Sequence, residues 1–414
     1  MGIFDTASLL LSIAAVFAYL NYKFIKLPTT IGIMLIALVF SLFLVVLSYF
    51  GIGIGEQYAE RVLKNIDFNE TLMHGMLSFL LFAGALHINL DALLEKKWIV
   101  GILASIGVVM TTFIVGFASY YILAWLSLDV PLIYCLVFGS LIAPTDPIAV
   151  MGILKTAGAS KSLETKIAGE SLFNDGVAIV VFLVLLGIAT SGHDVNPSEV
   201  AILFAEEALG GAIFGFAIGW ITYRMLKSVD NYQVEVLLSL ALVAGGYALA
   251  SKLHVSGPIA IVIAGLFIGN HGRYMAMSET TREHLDTFWE LLDEILNAVL
   301  FVLIGLEVIV LNFSGNYLAA GLILALVVLL ARFISVGIPI NLMRLRKDFH
   351  PHVVKILTWG GLRGGISVAL ALSLPAGPER DIIVTITYII VVLSIVIQGL
   401  TIRKLVEFAS RKTT

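Results

Sequence analysis

The sequence is poor in charged residues, nearly free of cysteine and without long polar stretches. Only 13% of its 414 residues are charged, whereas a soluble domain has about 25%. Its single cysteine, Cys135, excludes a disulfide framework. No low-complexity linker or soluble domain interrupts the chain, 59% of the residues are hydrophobic, and the mean hydropathy is +1.01. These features favour a polytopic membrane protein of a single domain spanning residues 1–414, and we expect neither a cofactor nor a nucleic-acid partner.

Apolar windows of about 20 residues, separated by polar or Pro/Gly clusters, predict thirteen transmembrane helices in an all-α fold. Their approximate cores are residues 7–23, 28–49, 70–88, 98–126, 131–154, 162–190, 198–226, 232–252, 256–270, 285–311, 316–343, 352–375 and 380–408. The first six residues lack Lys and Arg, so we interpret the first apolar run as a mature span rather than a signal peptide.

The basic residues are distributed unequally between the two predicted sides. Loops after odd-numbered spans, with the adjoining span ends and the tail, contain 18 of the 25 Lys and Arg residues, whereas the other side contains four and the spans three. The positive-inside rule therefore predicts an amino terminus outside and a carboxyl terminus in the cytoplasm. We expect an integral plasma (inner) membrane protein with a short cytoplasmic tail, which favours a prokaryotic source.

Residues 169–176 bring two carboxylates, a carboxamide and a hydroxyl into the sixth predicted span. Ionisable groups inside a membrane are costly and usually functional. At helical spacing Ser171 and Asp175 share one face, while Glu170 and Asn174 share a face about 100° away. The first face could hold a cation, and neighbouring helices could support the second.

Two other spans contain segments that a regular helix excludes. Residues 144–147 of the fifth span read Pro-Thr-Asp-Pro, and each proline removes an amide donor and clashes with the preceding turn. Residues 360–365 of the twelfth span place four glycines around Arg363. Paired broken helices in corresponding positions indicate a transporter site at the membrane midplane. We therefore predict inverted-topology halves, about 7–190 and 232–408, whose broken helices cross beside the sixth span.

Five ionisable groups are predicted at mid-depth: Asp146, Glu170, Asp175, Arg332 and Arg363. At about 3 kcal/mol each, they would together cost about 15 kcal/mol, comparable to the stability of a whole fold. They must therefore be paired or hydrated. Arg332 lies in an apolar run and needs an anionic partner, for which Glu170 is the best candidate. Three negative and two positive charges leave one net negative charge, which one monovalent cation or one proton would neutralise.

Asp175 is our candidate for the carboxylate that holds either a cation or a proton. Oxygen ligands suit a hard cation such as Na⁺, and Asp175, Ser171 and the carbonyl of Thr145 can supply them. Asp146 can coordinate the ion or compensate the positive end of a half-helix. Because the two neutral forms cross more readily than the empty charged form, alternating access becomes obligatory exchange. One-for-one exchange moves no net charge, so membrane voltage should not drive it.

Four further residues are predicted to support the site. Asn174 can donate and accept hydrogen bonds that tie the unwound backbone of the fifth span. Glu170 and Arg332 form the expected ion pair. Arg363 is expected to neutralise carbonyl ends at the second break, its own.

On these residues the sequence resembles the monovalent cation:proton antiporters, specifically the electroneutral Na⁺/H⁺ exchanger branch of NhaP type. The resemblance covers nearly the whole chain, and the motifs that carry it are Pro144–Pro147, Gly169–Gly176, Gly257–Asn270, Phe288–Glu307, Arg332 and Gly360–Gly365. It implies exchange of Na⁺ or Li⁺ for protons by a thirteen-helix homodimer. In that homodimer a core part moves like an elevator against a dimerisation part.

The resemblance also implies roles for individual residues. The family's Asn-Asp pair falls on Asn174 and Asp175, its Thr-Asp-Pro motif on residues 145–147, and its site serine on Ser171. Glu170 matches the carboxylate that the family pairs with an arginine, here Arg332.

One departure from the family pattern concerns a possible ligand. Many NhaP proteins, however, carry a glutamate within a Phe-Glu-Gly pattern of the third span, where this chain has Phe82, Ala83 and Gly84. The missing carboxylate leaves the preference between Na⁺ and K⁺ open.

Three alternatives were weighed against Na⁺/H⁺ exchange. A K⁺/H⁺ antiporter of the same fold is the nearest. A cation channel would conduct without proton coupling, but paired broken helices and a single titratable aspartate fit an exchanger better. An intramembrane serine protease needs a buried histidine, whereas the histidines lie in or near loops or toward span ends; an aspartyl protease would need Asp146 and Asp175 as its acidic pair. We therefore predict a transporter and not an enzyme.

Overall fold

The computed structural model describes residues 3–50, 75–147, 150–151, 154, 161–191, 197–311, 314–344 and 351–411. Regular secondary structure in these residues is helical throughout, with no β-strand, which confirms the predicted all-α class. Eight helical stretches among them are long and apolar enough to cross a membrane, and three shorter apolar helices accompany them. Each of the thirteen predicted spans contains helix, but the number of crossings stays a prediction.

The helices are numbered in chain order within the described residues. Those up to residue 191 form α1 (Ile3–Leu20), α2 (Thr29–Tyr49), α3 (Leu77–Leu86), α4 (Leu90–Glu95), α5 (Lys97–Trp125), α6 (Leu132–Leu141) and α7 (Lys161–Ser191). Those from residue 197 onward form α8 (Pro197–Leu226), α9 (Tyr232–Lys252), α10 (Gly257–Phe267), α11 (Glu279–Glu307), α12 (Gly315–Met343), α13 (Val353–Trp359), α14 (Gly365–Leu372), α15 (Pro378–Leu393) and α16 (Gly399–Arg411).

Three five-residue π-helical turns in the described part of the chain continue α-helices without interrupting them. Asn21–Ile25 extends α1, Ile268–Gly272 extends α10, and Ser394–Gln398 joins α15 to α16. A single helical turn, Arg273–Met275, follows the second of these. Turns of this kind inside helices are frequent at functional sites, and the third one contributes to the site described below.

Several helices begin at polar side chains that accept hydrogen bonds from the first turn. The capping residues of α4, α9, α10, α11 and α12 are Asn89, Asn231, Ser256, Ser278 and Ser314. The cap at Ser278 explains a boundary that the sequence analysis misplaced. The tenth span was predicted at 285–311, but α11 runs from Glu279 to Glu307 because the Ser278 hydroxyl accepts from Thr281 N.

Packing places four helices around the polar centre of the protein. α5 packs against α6, α7 and α12, and α6 also packs against α7. Hydroxyl groups join helices inside this core: Thr111 of α5 donates to Ser335 of α12, with 3.1 Å between the two oxygens. Polar contacts and small residues hold membrane helices together because lipid supplies no hydrophobic drive for helices to associate. The end of α6 and the centre of α7 are therefore held in fixed positions relative to each other.

A second packing centre lies around Trp289 of α11, which is fully buried. Its ring packs on Phe82 of α3, and its indole nitrogen donates to the hydroxyl of Ser239 of α9 at 3.0 Å. Near the other end of α11, Ser41 of α2 donates to the carbonyl of Gly305 at 2.9 Å. α11 thus connects the amino-terminal helices to the core that carries the site.

Candidate cation site at two crossed helix breaks

The two predicted helix breaks are present and meet each other. α6 ends at Leu141, and α13 is separated from α14 by residues 360–364. At the crossing, Asp146 N donates to Leu362 O at 2.8 Å, and the two segments run antiparallel. This confirms the predicted crossing of the two broken helices. Unwound backbone at membrane depth requires partners from protein or a polar cavity, and here each break supplies part of what the other needs.

Asn174 of α7 holds the first break in place. Its amide nitrogen donates to Thr145 Oγ1 at 2.8 Å, and its amide oxygen accepts from Thr145 N at 3.4 Å. Thr145 Oγ1 also lies 3.0 Å from Ser171 Oγ, one turn earlier on α7. The unwound backbone after α6 is therefore bonded to the polar face of α7, in the arrangement expected for Asn174.

Asp175 is buried, with 5% of its surface exposed. Within the described part of the chain its Oδ1 atom has no hydrogen-bond partner. A buried carboxylate oxygen without a partner is costly, more so when the group is charged. Asp146 is close enough to interact with it electrostatically. Two neighbouring carboxylates favour binding of a cation or a proton, because either one reduces their mutual repulsion.

Asp146 lies where α14 begins. It is half-buried, and Gly364, which precedes the first residue of α14, lies directly against it. A Cβ atom at Gly364 would come within 2.6 Å of Asp146 Cβ and would collide with the carboxylate. The absence of a side chain at this position therefore allows a carboxylate to approach the amino-terminal end of a helix, where the backbone carries partial positive charge.

The hydrogen-bond acceptors of Arg363 differ from those that the sequence predicted. Arg363 was expected to neutralise carbonyl ends at its own break, but its Nη1 atom donates to Ala143 O at 2.5 Å and to Pro144 O at 2.9 Å. Both acceptors belong to the first break, just beyond α6. The prediction was wrong because the crossing brings these foreign carbonyls within reach of the side chain. The guanidinium thus compensates the negative end of a half-helix from the other broken span.

The second break is itself held by the last π-helical turn. Arg363 N donates to Ser394 Oγ at 3.0 Å, and Ser394 Oγ donates to Gln398 Oε1 at 2.5 Å. The sequence analysis assigned no role to Ser394 or Gln398. Two polar residues four apart in the otherwise apolar run 389–400 were the available signal, since that spacing puts both on one helix face.

Glu170 and Arg332 form the ion pair that the sequence predicted. Arg332 Nη1 contacts Glu170 Oε1, and both residues are buried. The second guanidinium nitrogen, Nη2, donates to Leu357 O of α13 at 3.4 Å. Gly361 lies against Arg332, and a Cβ atom there would come within 2.7 Å of Arg332 Nε. The pair therefore joins α7, α12 and α13 next to the crossing.

One acidic residue of α11 was missed. Asp293 is close enough to interact with Asp146 and with Asn297. Asp293 and Asn297 both lie within the family motif Phe288–Glu307, but the sequence predicted no role for either. Among the described residues, no group of three or more His, Cys, Asp or Glu side chains could hold a metal ion. A cation at this site would therefore need hydroxyl or carbonyl oxygens besides carboxylates, which is common for hard cations.

The whole chain has known relatives. Residues 11–408 match the family model for the transmembrane sodium/hydrogen exchanger. The chain is 53% identical over 407 residues to the Na⁺/H⁺ antiporter NhaP of Pseudomonas aeruginosa, covering 97% of this chain and 96% of that relative. It is 34% identical over 392 residues to the Na⁺/H⁺ antiporter NhaH of Halobacillus dabanensis, covering 93% of each.

The fold is also similar to a solved structure. The sodium proton antiporter MjNhaP1 of Methanocaldococcus jannaschii matches with a TM-score of 0.76 and 20% sequence identity, covering 98% of this chain and 99% of that one. At this identity the likeness establishes the fold, and the sequence matches establish the family. This chain belongs to the transmembrane sodium/hydrogen exchanger family.

Proposed function

We propose that this chain exchanges Na⁺ or Li⁺ for H⁺ by alternating access, without a cofactor, with both ions competing for Asp175. The main support is the buried Asp175 Oδ1 atom, which has no hydrogen-bond partner in the described part of the chain. Ser171 and Thr145 place two hydroxyl oxygens next to the same face of α7, 3.0 Å from each other. Asp146 supplies a second carboxylate nearby.

The charges of the site support one-for-one exchange. Glu170 and Arg332 neutralise each other in a direct ion pair. Arg363 and Asp146 carry opposite charges at the crossing, each at the end of a half-helix from the other broken span. Among these five groups, Asp175 then remains as the uncompensated carboxylate. Because Na⁺ and H⁺ each neutralise it once, a complete cycle moves no net charge.

The decisive experiment measures proton movement in vesicles that contain the purified protein. A pulse of Na⁺ is expected to dissipate an imposed pH gradient, and the variant Asp175→Asn is expected to abolish this response. The matched control is Asp129→Asn, an exposed aspartate in the loop before α6, which should retain full exchange. Sustained Na⁺-dependent proton movement in Asp175→Asn would overturn the proposal.

The same vesicles separate Na⁺/H⁺ exchange from its alternatives. Clamping the membrane at different voltages should leave the exchange rate unchanged, because no net charge crosses. Raising the pH should lower the Na⁺ concentration that gives half the maximal rate, because fewer protons compete for Asp175. A response to K⁺ but not to Na⁺ would identify a K⁺/H⁺ antiporter. Current without proton movement would identify a channel.

Binding can be measured apart from transport. A ligand that binds only the folded state raises its stability by mass action, so Na⁺ or Li⁺ should raise the thermal unfolding midpoint of the wild-type protein. Asp175→Asn should fold and lose this shift, whereas Asp129→Asn should keep it. A folded Asp175→Asn variant with an undiminished Na⁺ shift would place the cation elsewhere.

The membrane arrangement is part of the same proposal. We place the chain in a prokaryotic plasma membrane with its amino terminus outside, on the basis of the unequal distribution of Lys and Arg. Because Cys135 is buried, added cysteines can be labelled selectively with a membrane-impermeant maleimide. Asp129→Cys should react in intact cells, and Ser228→Cys should react only after the membrane is opened. The opposite pattern would reverse the orientation.

The resemblance further implies a homodimer with a moving core and two inverted halves. We propose this assembly for the present chain as well. Mass measurement of the purified protein in detergent should give two copies per particle. A single copy, with exchange intact, would contradict it.

A further inference from the structure

An apolar groove lies on the surface formed by α12, α13 and α16. Its volume is about 720 Å³. Leu326, Leu330 and Phe333 of α12 line one side, and Leu405 and Phe408 of α16 line the other. Leu326 and Leu330 are 71% and 58% exposed. Since α12 is one of the long membrane-spanning helices, this apolar surface faces lipid.

Two lysines line the same groove. Lys355 lies near the start of α13 and Lys404 lies on α16, and both are exposed. No ion pair found in the described part of the chain involves either one. The nearby carboxylate of Glu407 is bonded to Arg403 at 2.9 Å instead. Lys355 is the third residue of α13, and Lys404 lies in the middle of α16. The proposed orientation places the start of α13 and the carboxyl-terminal part of α16 toward the cytoplasm, where lysine heads reach the lipid headgroups.

Besides its apolar residues and lysines, the groove is lined by Thr358 and Trp359. Thr358 lines the groove and is 6% exposed, and its Oγ1 atom has no hydrogen-bond partner among the described residues. The adjacent Trp359 side chain does not donate a hydrogen bond to this hydroxyl, because its Nε1 atom donates to Thr401 Oγ1 at 2.8 Å. Buried polar groups are nearly always bonded. The Thr358 oxygen is itself enclosed by protein, so it offers no contact to an occupant of the groove.

We propose that this groove is a binding site for an anionic phospholipid of the cytoplasmic leaflet. An acyl chain would lie along the wall from Leu326 to Phe333, which is about 10 Å long at the helical rise. The phosphate would lie between Lys355 and Lys404. The combination of apolar walls with two lysines matches a lipid. A small anion would bind the lysines but would gain nothing from contact with the apolar walls.

The position of α13 connects this lipid to the transport core. Lys355 and Thr358 lie on the same seven-residue helix as Leu357, whose carbonyl accepts from Arg332. Arg332 in turn forms the buried ion pair with Glu170. A lipid that bridges α13 and α16 therefore stabilises the helix that holds this pair, so lipid binding should raise the unfolding temperature of the whole core.

The test compares two lipids with identical acyl chains. Purified protein in detergent is titrated with phosphatidylglycerol or phosphatidylcholine, and bound lipid is followed by native mass spectrometry together with the thermal unfolding midpoint. Phosphatidylglycerol is expected to bind more tightly and to raise the midpoint further. In Lys355→Gln/Lys404→Gln, the affinity for phosphatidylglycerol should fall about thirtyfold, the effect of two lysines near an anionic surface.

The control variant is Lys97→Gln/Lys227→Gln. It removes two other exposed lysines from the side of the protein that we assign to the cytoplasm, and it should keep the wild-type affinity. A third variant, Leu330→Trp, keeps both groove lysines and fills the apolar space, and it should also lose the preference for phosphatidylglycerol. Each variant should retain its Na⁺-dependent thermal shift, which verifies folding independently of lipid.

Several results would overturn this assignment. Equal responses to the two lipids, or wild-type affinity in Lys355→Gln/Lys404→Gln, would exclude it. An equal loss in the control variant would show that only overall surface charge matters. The same stabilisation by inorganic phosphate alone would remove the acyl chain from the site. All of these readouts are binding measurements, so they stand even if Na⁺/H⁺ exchange is absent.

Discussion

The two helix breaks meet at one crossing but are built from different residues. The first is made by Pro144 and Pro147, which cannot continue a helix because they lack an amide donor. The second is made by glycines, and here the reason is space. Gly361 lies against Arg332 and Gly364 lies against Asp146, at distances that no Cβ atom would allow. The proline break thus ends its helix because a hydrogen bond is missing. The glycine break instead leaves space for the side chains of Arg332 and Asp146.

The difference explains how the two breaks depend on each other. Arg363 of the glycine break reaches the carbonyls that follow α6, and Asp146 of the proline break lies at the start of α14. Each break supplies the charge that opposes the helix end of the other. A single broken helix would leave both of its ends without such a partner. The pair is therefore one structural unit, and the predictions below test its parts separately.

The largest effect is expected at the buried ion pair beside the breaks. Glu170→Gln or Arg332→Gln leaves an uncompensated buried charge and should lower the free energy of unfolding by about 3–5 kcal/mol. Glu170→Met/Arg332→Met should recover part of this loss, so the single effects should not add. The control Arg403→Gln breaks an exposed ion pair and should cost under about 1 kcal/mol. Additive losses, measured by denaturant unfolding, would show that the two residues act independently.

The next largest effect is expected at the glycine break, where Gly364 and Gly361 should respond differently to substitution. Gly364→Ala forces Asp146 to move and should cost about 1–3 kcal/mol of stability, as overpacking does, with a weaker apparent Na⁺ affinity in vesicles. Gly361→Ala crowds Arg332 and places a Cβ atom within 3.2 Å of the methyl carbon of Thr145. It should therefore reduce stability, and it should lower the Na⁺ affinity less than Gly364→Ala does. The control is Gly187→Ala on α7, where a Cβ atom meets nothing within 4 Å. Unchanged Na⁺ affinity in Gly364→Ala would remove Asp146 from the cation site.

A smaller effect is expected where α7 holds the proline break. Asn174→Ala removes both bonds to Thr145, and leaving these buried groups unbonded should cost about 1–2 kcal/mol. Exchange should slow because Thr145 and Ser171 lose their fixed spacing. The control Thr190→Ala lies on the exposed end of the same helix and should leave the exchange rate and unfolding midpoint near wild type. Wild-type exchange in Asn174→Ala would show that the break holds its shape without α7.

The smallest effect is expected where the last π-helical turn supports the glycine break. Ser394→Ala removes the acceptor for Arg363 N and the contact with Gln398. A loss of about 1 kcal/mol is typical for one such bond. If the two breaks form one unit, this distant change should also weaken Na⁺ affinity slightly, as measured by the Na⁺-dependent thermal shift. A stability loss with no change in that shift would mean that the glycine break tolerates displacement without affecting the cation.

The sequence alone determined the features that depend on local chemistry. Two prolines end a helix wherever they occur together, and apolar runs of sufficient length form helices in a membrane. An arginine in an apolar run requires an anion, which identified Glu170 as the partner of Arg332 before the structure did. The polar face of α7 followed from spacing alone, because residues four apart share a helix face.

Only the tertiary structure decided which groups meet across the molecule. The acceptors of Arg363 lie more than 200 residues earlier in the chain, and the support from Ser394 comes from a different span. The groove that joins Lys355 to Lys404 brings together α12, α13 and α16. The local sequence pattern indicates what partner a side chain requires. It does not indicate which distant backbone groups will lie close to that side chain, because this depends on how the helices cross.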